Sequence, residues 1–251
     1  MHVIIGHGSK KYTADLQKPL DLSIPMRSGA HNPNAFGIGH PVFEPFRAGS
    51  FVGSVAEGGS VNCENLHLNA HGNGTHTECV GHISTGKITI NQCLKQFYAL
   101  AQVITVAPRS LGNNVHMVML EDVQQYYSAD TAALIIRTSP NDTGKLERIY
   151  SSNNPPYLEE ALCRWLCEKG VQHLLIDLPS VDAEEDGGEL AAHHAFWNYP
   201  GAPRMDATIT EMIFVPDSVK DGLYLLNIQI APIESDASPS KPVLYPLTAA
   251  G

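Results

Sequence analysis

The sequence predicts an α/β fold, and three observations carry that expectation. A series of apolar or alternating runs has strand character, and two segments have helical spacing. Between Pro156 and Asp177 the chain reads as a helix, a glycine and then an apolar strand ending in an acid. Such an order suits a sheet whose strand ends present polar groups.

In chain order, the expected strands are Ser60 to Ala70, Ala99 to Ala107, Val115 to Met119, Ala133 to Thr138, Val171 to Asp177, Tyr224 to Ile230 and, more weakly, Val243 to Leu247. Upstream, Ser28 to Gly59 is rich in Gly and Pro. It predicts long surface loops interrupted by a strand near Phe51 to Ala56. The first helix follows Pro155-Pro156, with Leu158, Ala161, Leu162, Trp165 and Leu166 at helical spacing and Gly170 as its stop. A second is expected from Glu189 to about Trp197, ended by Asn198-Tyr199-Pro200. No interior linker, repeat or charge block divides the 251 residues, so residues 1–251 are expected to form one domain.

Composition narrows the function. With 16 Lys plus Arg against 26 Asp plus Glu, the net charge is −10 and no basic cluster is available to neutralise phosphates. Nucleic acid is not an expected partner. No apolar run approaches the roughly 18 residues of a membrane span, and the first residues do not read as a signal peptide, so a cytoplasmic location is expected. The 5 cysteines include no C-x-x-C pair and predict free thiols rather than a disulfide framework. The 12 histidines are the unusual feature, since imidazole is the commonest metal ligand and proton carrier near neutral pH.

No G-x-S-x-G elbow, Walker-type phosphate loop, H-E-x-x-H helix or complete G-x-G-x-x-G is present. The informative segment is Asn69 to Ile83. If Thr75 to Glu78 is extended, His76 and Glu78 project from one face, and His82 keeps their parity if the strand persists past Gly81. His71 has the opposite parity, but Gly72 and Gly74 permit an irregularity that brings it back. Parity does not choose between His67 and His71. Two histidines and an acid suit Zn²⁺ or Mn²⁺ with positions left open, whereas the bland alternative is a hydrogen-bonded polar strand face.

A second acidic region runs through Asp177-Leu178-Pro179-Ser180-Val181-Asp182 to His193-His194 and then Glu211. Adjacent helical residues diverge by about 100°, so only one of His193 and His194 can face a given site. Glu189 is placed to favour the helix dipole. Phe36, Phe43, Phe46, Trp197 and Tyr199 are candidate pocket walls.

Taken together, these segments resemble the cyclase family of metal-dependent hydrolases, which includes bacterial kynurenine formamidases. Asp21-Leu22-Ser23-Ile24-Pro25-Met26 looks like the family's D-L-S-x-P-L opening. Gly74-Thr75-His76-Thr77-Glu78 is similar to G-T-H-x-D, and His82 matches the last position of H-x-G-T-H-x-D-x-P-x-H. Asp177 to Asp182 looks like D-x-x-S-x-D, while His193 and Glu211 resemble the later helix histidine and glutamate. Four departures stand out: Gly72 occupies the first histidine position with His71 displaced by one, Glu78 replaces aspartate, Val80 replaces proline, and the interval from His193 to Glu211 is longer than in the formamidases.

The resemblance implies an α/β fold of the swivelling β/β/α type with mixed β-sheets and flanking helices, assembled as a homodimer or larger homo-oligomer. It implies hydrolysis of an amide, N-formyl or cyclic amide small molecule with one or two divalent ions, Zn²⁺ or Mn²⁺. By that analogy His71, His76, Glu78, His193 and Glu211 are metal ligands, and His82, or Glu211 when released from the metal, handles protons. Two rival expectations are a ligand-binding member of the fold without catalysis and, at low weight, cysteine chemistry at Cys79, whose parity opposes that of Glu78.

Overall fold

The run Ala133 to Ile136 lacks alternation because both of its faces are covered. Ala133 and Ile135 join one apolar cluster, Leu134 and Ile136 another. The computed structural model of the chain describes residues 1–128 and 130–250.

Seven strands form the centre: β1 (His76–Cys79), β2 (Tyr98–Val106), β3 (Ala133–Thr138), β4 (His173–Ile176), β5 (Thr208–Glu211), β6 (Gly222–Ile230) and β7 (Ala237–Ala249). Their order is β7, β6, β2, β3, β4, β5, β1, and β1 then pairs with β7 again, so the sheet closes into a barrel. Strands β2 to β5 run parallel, and the remaining pairs are antiparallel. The length of β7 makes closure possible. Its 13 residues give Ala237 to Pro239 to β1, Ser240 to Pro246 to β6, and Leu247 to Ala249 to a hairpin strand, Lys10–Asp15. Within the ring no edge is left unpaired.

Among the described residues, five α-helices accompany the barrel: α1 (Ala70–Asn73), α2 (Ile90–Cys93), α3 (Leu120–Gln124), α4 (Glu160–Glu168) and α5 (Ala191–Trp197). Val103, Ile135, Leu175, Leu226 and Leu244 fill the barrel, while Leu134, Ile136, Leu174 and Ile209 pack outward beneath Leu162, Leu166, Phe196 and Trp197 of α4 and α5. The expected helix after Pro155-Pro156 is thus present, although Leu158 lies in a short strand before it and Ala161 faces solvent. Gly170 ends it in the left-handed region, φ +75°.

The mixed α/β class holds, and β3 matches its expected bounds. Other expectations need correction. Ser60 to Ala70 is a strand only over Glu64–His67, because the Asn69 side chain accepts the Gly72 N–H and starts α1. The strand expected near Phe51 to Ala56 is limited to Phe51–Val52 before a 3₁₀ turn. Two strand pairs there, Val42–Pro45 with Glu64–His67 and Arg47–Ala48 with Phe51–Val52, form an arm of their own.

Candidate metal centre

Strand parity and register create the first part of the site. His76 and Glu78 share the face of β1 opposite the barrel-filling Cys79, and the antiparallel register sets Glu211 of β5 directly across from His76. His76 Nε2 lies 3.3 Å from Glu211 Oε2. Thr75 anchors this corner by accepting the Ile24 N–H (2.9 Å) and donating to the Met212 carbonyl (2.5 Å). Met212, immediately after Glu211, holds φ +50°, a left-handed conformation that costs a non-glycine residue about 1–3 kcal/mol.

The remaining groups arrive from outside β1. Asp182 accepts the Ala192 and His193 backbone N–H groups at 2.8 and 3.1 Å, which fixes the start of α5. The same carboxylate meets His193 Nδ1 at 2.6 Å, and His193 Nε2 reaches Glu78 Oε1 at 3.1 Å. Helix α1 turns His71 inward, placing Nδ1 3.1 Å from Glu78 Oε2. At Gly72 a Cβ would lie 2.5 Å from Ile38 Cδ1, so glycine is needed for that close approach. His82 ends a 3₁₀ turn, Val80–His82, rather than continuing the strand. Gly81 allows the turn because its Cα packs against the Ile88 carbonyl, which a Cβ would meet at 2.0 Å.

Charge and hydrogen bonding are closely balanced. Burial pulls His71 down, but its hydrogen bond to Asp236 and the adjacent Glu78 carboxylate outweigh it and raise it to about 10. His193 likewise rises to about 10, burial being overcome by Asp182 and Glu78. Burial pushes the Glu78 carboxyl up, yet the charge of His82, the hydrogen bond from His193 and the close approach of His71 hold it well below the usual carboxylate range. Despite this crowding, His76 Nε2 and Glu78 Oε2 are buried without a hydrogen bond. His76 Nδ1 donates to the Gly74 carbonyl at 3.0 Å, which leaves the Nε2 lone pair aimed at a carboxylate oxygen. Two acceptors so placed require a cation or a proton between them.

That donor set fits a divalent metal. Three overlapping groups each place their ligand atoms within 4.8 Å of one another: His71, His76 and Glu78; Glu78, His82 and His193; and His71, His82 and Asp236. Imidazole nitrogen with carboxylate oxygen suits zinc and manganese.

All the sequence-selected residues, His71, His76, Glu78, His82, His193 and Glu211, therefore converge. The open alternatives close as well. His67 is exposed on its strand beside Glu44, and His194 turns away to the Tyr199 carbonyl. Asp182 accepts N–H groups at the start of α5, and Glu189, expected to favour the helix dipole, lies before its first turn. Asp177 is occupied elsewhere by Lys145 at 2.7 Å. Of the suggested pocket walls, Trp197 is wholly buried in the core, and Phe43 and Phe46 belong to the arm. Asp236 was not foreseen: its only cue is an acid one residue before β7, and the pairing of β7 with β1 has no local signature.

A family model described as putative cyclase matches residues 20–183. The chain belongs to the putative cyclase family. Among its relatives, a kynurenine formamidase of Bacillus cereus is 30% identical over 196 residues, covering 77% of this chain and 85% of the relative. Cyclase-family character extends to three dimensions. A solved structure described as a potential metal-dependent hydrolase with cyclase activity superposes with a TM-score of 0.66 at 16% identity, covering 91% of this chain and 97% of the other. An isatin hydrolase bound to thioisatinate gives 0.65 at 14% identity, with 93% of each chain covered.

Proposed function

We propose that this cyclase-family chain is a metal-dependent hydrolase of a small amide, N-formyl or cyclic amide compound, acting on a C–N bond outside peptides. The observation that carries the reading is the pair of buried, unbonded atoms His76 Nε2 and Glu78 Oε2 at the centre of a converging His/carboxylate set. The formamidase relatives support the substrate class.

His71, His76, Glu78, His193 and Glu211 would hold one or two ions, zinc or manganese. When bound, such an ion polarises a carbonyl oxygen and acidifies water. The chain does the rest. Gly74 and Asp182 fix the His76 and His193 rings through their Nδ1 atoms, and the Val181 N–H, 3.0 Å from Glu211 Oε1, orients that carboxylate as a ligand. His82 is 28% exposed and lines a cavity of about 370 Å³ with Lys87, Thr89 and Glu234. It is the group placed to accept a proton from attacking water and return it to the leaving nitrogen.

Assembly as a homodimer or larger homo-oligomer is part of this reading, supported by the arm, where Val42, Phe46, Phe51 and Leu66 are exposed. A cytoplasmic location is supported by five free cysteines. Among the described residues, no helix is long and apolar enough to cross a membrane.

Elemental analysis with hydrolysis of formanilide, a simple aryl formamide, tests the proposal. Chelation should abolish turnover and Zn²⁺ or Mn²⁺ should restore it, whereas full turnover in metal-free protein refutes the reading.

A further inference from the structure

The strand that closes the barrel also delivers a carboxylate to the site. Asp236 immediately precedes β7, its carbonyl accepts the Cys79 N–H at 3.1 Å, and the next residue, Ala237, pairs with Glu78. Backbone pairing therefore fixes where the Asp236 side chain starts. One oxygen, Oδ2, then contacts two rings: His71 Nε2 at 2.8 Å and His82 Nδ1 at 3.1 Å. The other oxygen, Oδ1, accepts from Ser235 Oγ at 3.0 Å. The two rings lie 4.4 Å apart between centroids, tilted by 30°.

A carboxylate only accepts, so each ring nitrogen facing Asp236 carries a hydrogen. A neutral His82 then keeps its lone pair on Nε2, and the His71 nitrogen left to face a bound metal is Nδ1, 3.1 Å from Glu78 Oε2. We propose that Asp236 is a positioning residue that holds His71 as a metal-directed imidazole and His82 as a proton acceptor through one shared oxygen. The catalytic half of this proposal rests on the hydrolase reading above, but the tautomer and metal-affinity half does not.

Asp236 plays for His71 the part Asp182 plays for His193, with one difference. Asp182 is bound to a single ring and to the start of α5, whereas Asp236 ties a ligand ring to the proton-carrying ring. It also lines the cavity that reaches His82, so the His82 ring is held at that cavity's wall. Carboxylates that orient metal-bound imidazoles typically contribute 10–100-fold to metal affinity, and positioned acid–base groups about 10²–10⁴-fold to rate.

The test is Asp236→Ala, which removes the shared oxygen from both rings. Three readouts apply: imidazole ¹⁵N shifts in Zn²⁺-loaded protein carrying labelled histidine, Zn²⁺ affinity by chelator competition, and kcat and KM on formanilide. The expected result is altered His71 or His82 tautomer populations, Zn²⁺ affinity lowered roughly 10–100-fold, and kcat lowered about 100-fold with little change in KM. Wild-type tautomers, affinity and kcat in a folded Asp236→Ala overturn the proposal.

If that variant does not fold, Asp236→Glu keeps the charge while moving the oxygens by one C–C bond. Changed tautomers or weakened Zn²⁺ binding then support the proposal, and wild-type values reject it. Should the unmodified protein bind Zn²⁺ without hydrolysing anything, the hydrolase reading fails, yet the tautomers and affinity still decide the role of Asp236.

Discussion

His76 and Glu211 face each other across the β1–β5 ladder, and their nearest atoms, Nε2 and Oε2, stand 3.3 Å apart with no hydrogen bond between them. The Gly74 carbonyl has already taken the only proton of a neutral His76 ring. A cation held by both atoms would resolve the contact. His76→Ala and Glu78→Ala are each expected to lower bound metal below half an equivalent, and formanilide turnover more than about 100-fold, beyond the usual outer-shell effect. Metal analysis and steady-state kinetics on the folded variants check this.

Asp182 is expected to act at one remove. Asp182→Asn leaves the site's nitrogen and oxygen ligands present but weakens the 2.6 Å contact that fixes His193. Zn²⁺ affinity should fall roughly 10–100-fold. Since Asp182 also accepts two N–H groups at the start of α5, a loss of about 1 kcal/mol of stability is expected alongside. Chelator competition and urea unfolding separate the two effects, and an unchanged affinity contradicts this role.

In metal-free protein the paired histidines give stability a definite pH dependence. His71 and His193 both rise from 6.5 to about 10, so the folded state binds their protons more tightly than the unfolded chain does. Their contribution is complete below pH 6.5 and is lost as pH climbs toward 10. Metal-loaded protein should be far less sensitive over this window, because ligand imidazoles give up those protons on binding. Urea unfolding of chelated and Zn²⁺-loaded protein from pH 6.5 to 10 should reveal the divergence, and parallel curves would contradict it.

Gly81 has a steric role with a functional consequence. A Cβ there would lie 2.0 Å from the Ile88 carbonyl, a backbone atom, so Gly81→Ala must open the turn that ends in His82. The expected cost is roughly 1–3 kcal/mol in stability. Turnover should fall while metal stoichiometry is retained, as His82 is displaced and the ligands on β1 are not. Equal loss of metal and turnover would contradict this assignment.

Much of the centre was legible because side-chain period and chemistry agree. Ala133 to Thr138 reads as a doubly buried strand, and the two-residue spacing of His76 and Glu78 puts them on one face. His71 is different: parity alone turns it away, and the Asn69 cap on a four-residue helix returns it. Strand β5 and barrel closure left little trace, since Thr208 to Glu211 is short and its partners are distant in sequence. For the same reason Asp236 escaped notice. Conversely, Asp177 has a conspicuous place at a strand end, but it pairs with buried Lys145 and accepts the Thr138 N–H. An acid at that position does not reveal whether its partner will be a cation of the chain or of the solvent.

The most direct test is anomalous scattering from crystals grown with Zn²⁺ or Mn²⁺, recorded at that metal's absorption edge. The account predicts a peak bonded to His76 Nε2 and Glu78, at about 2.0–2.2 Å for zinc, with His71, His193 and Glu211 completing one or two coordination shells. No peak in that cluster despite excess metal, with His76 Nε2 and Glu78 Oε2 instead bonded to other protein groups, would contradict it.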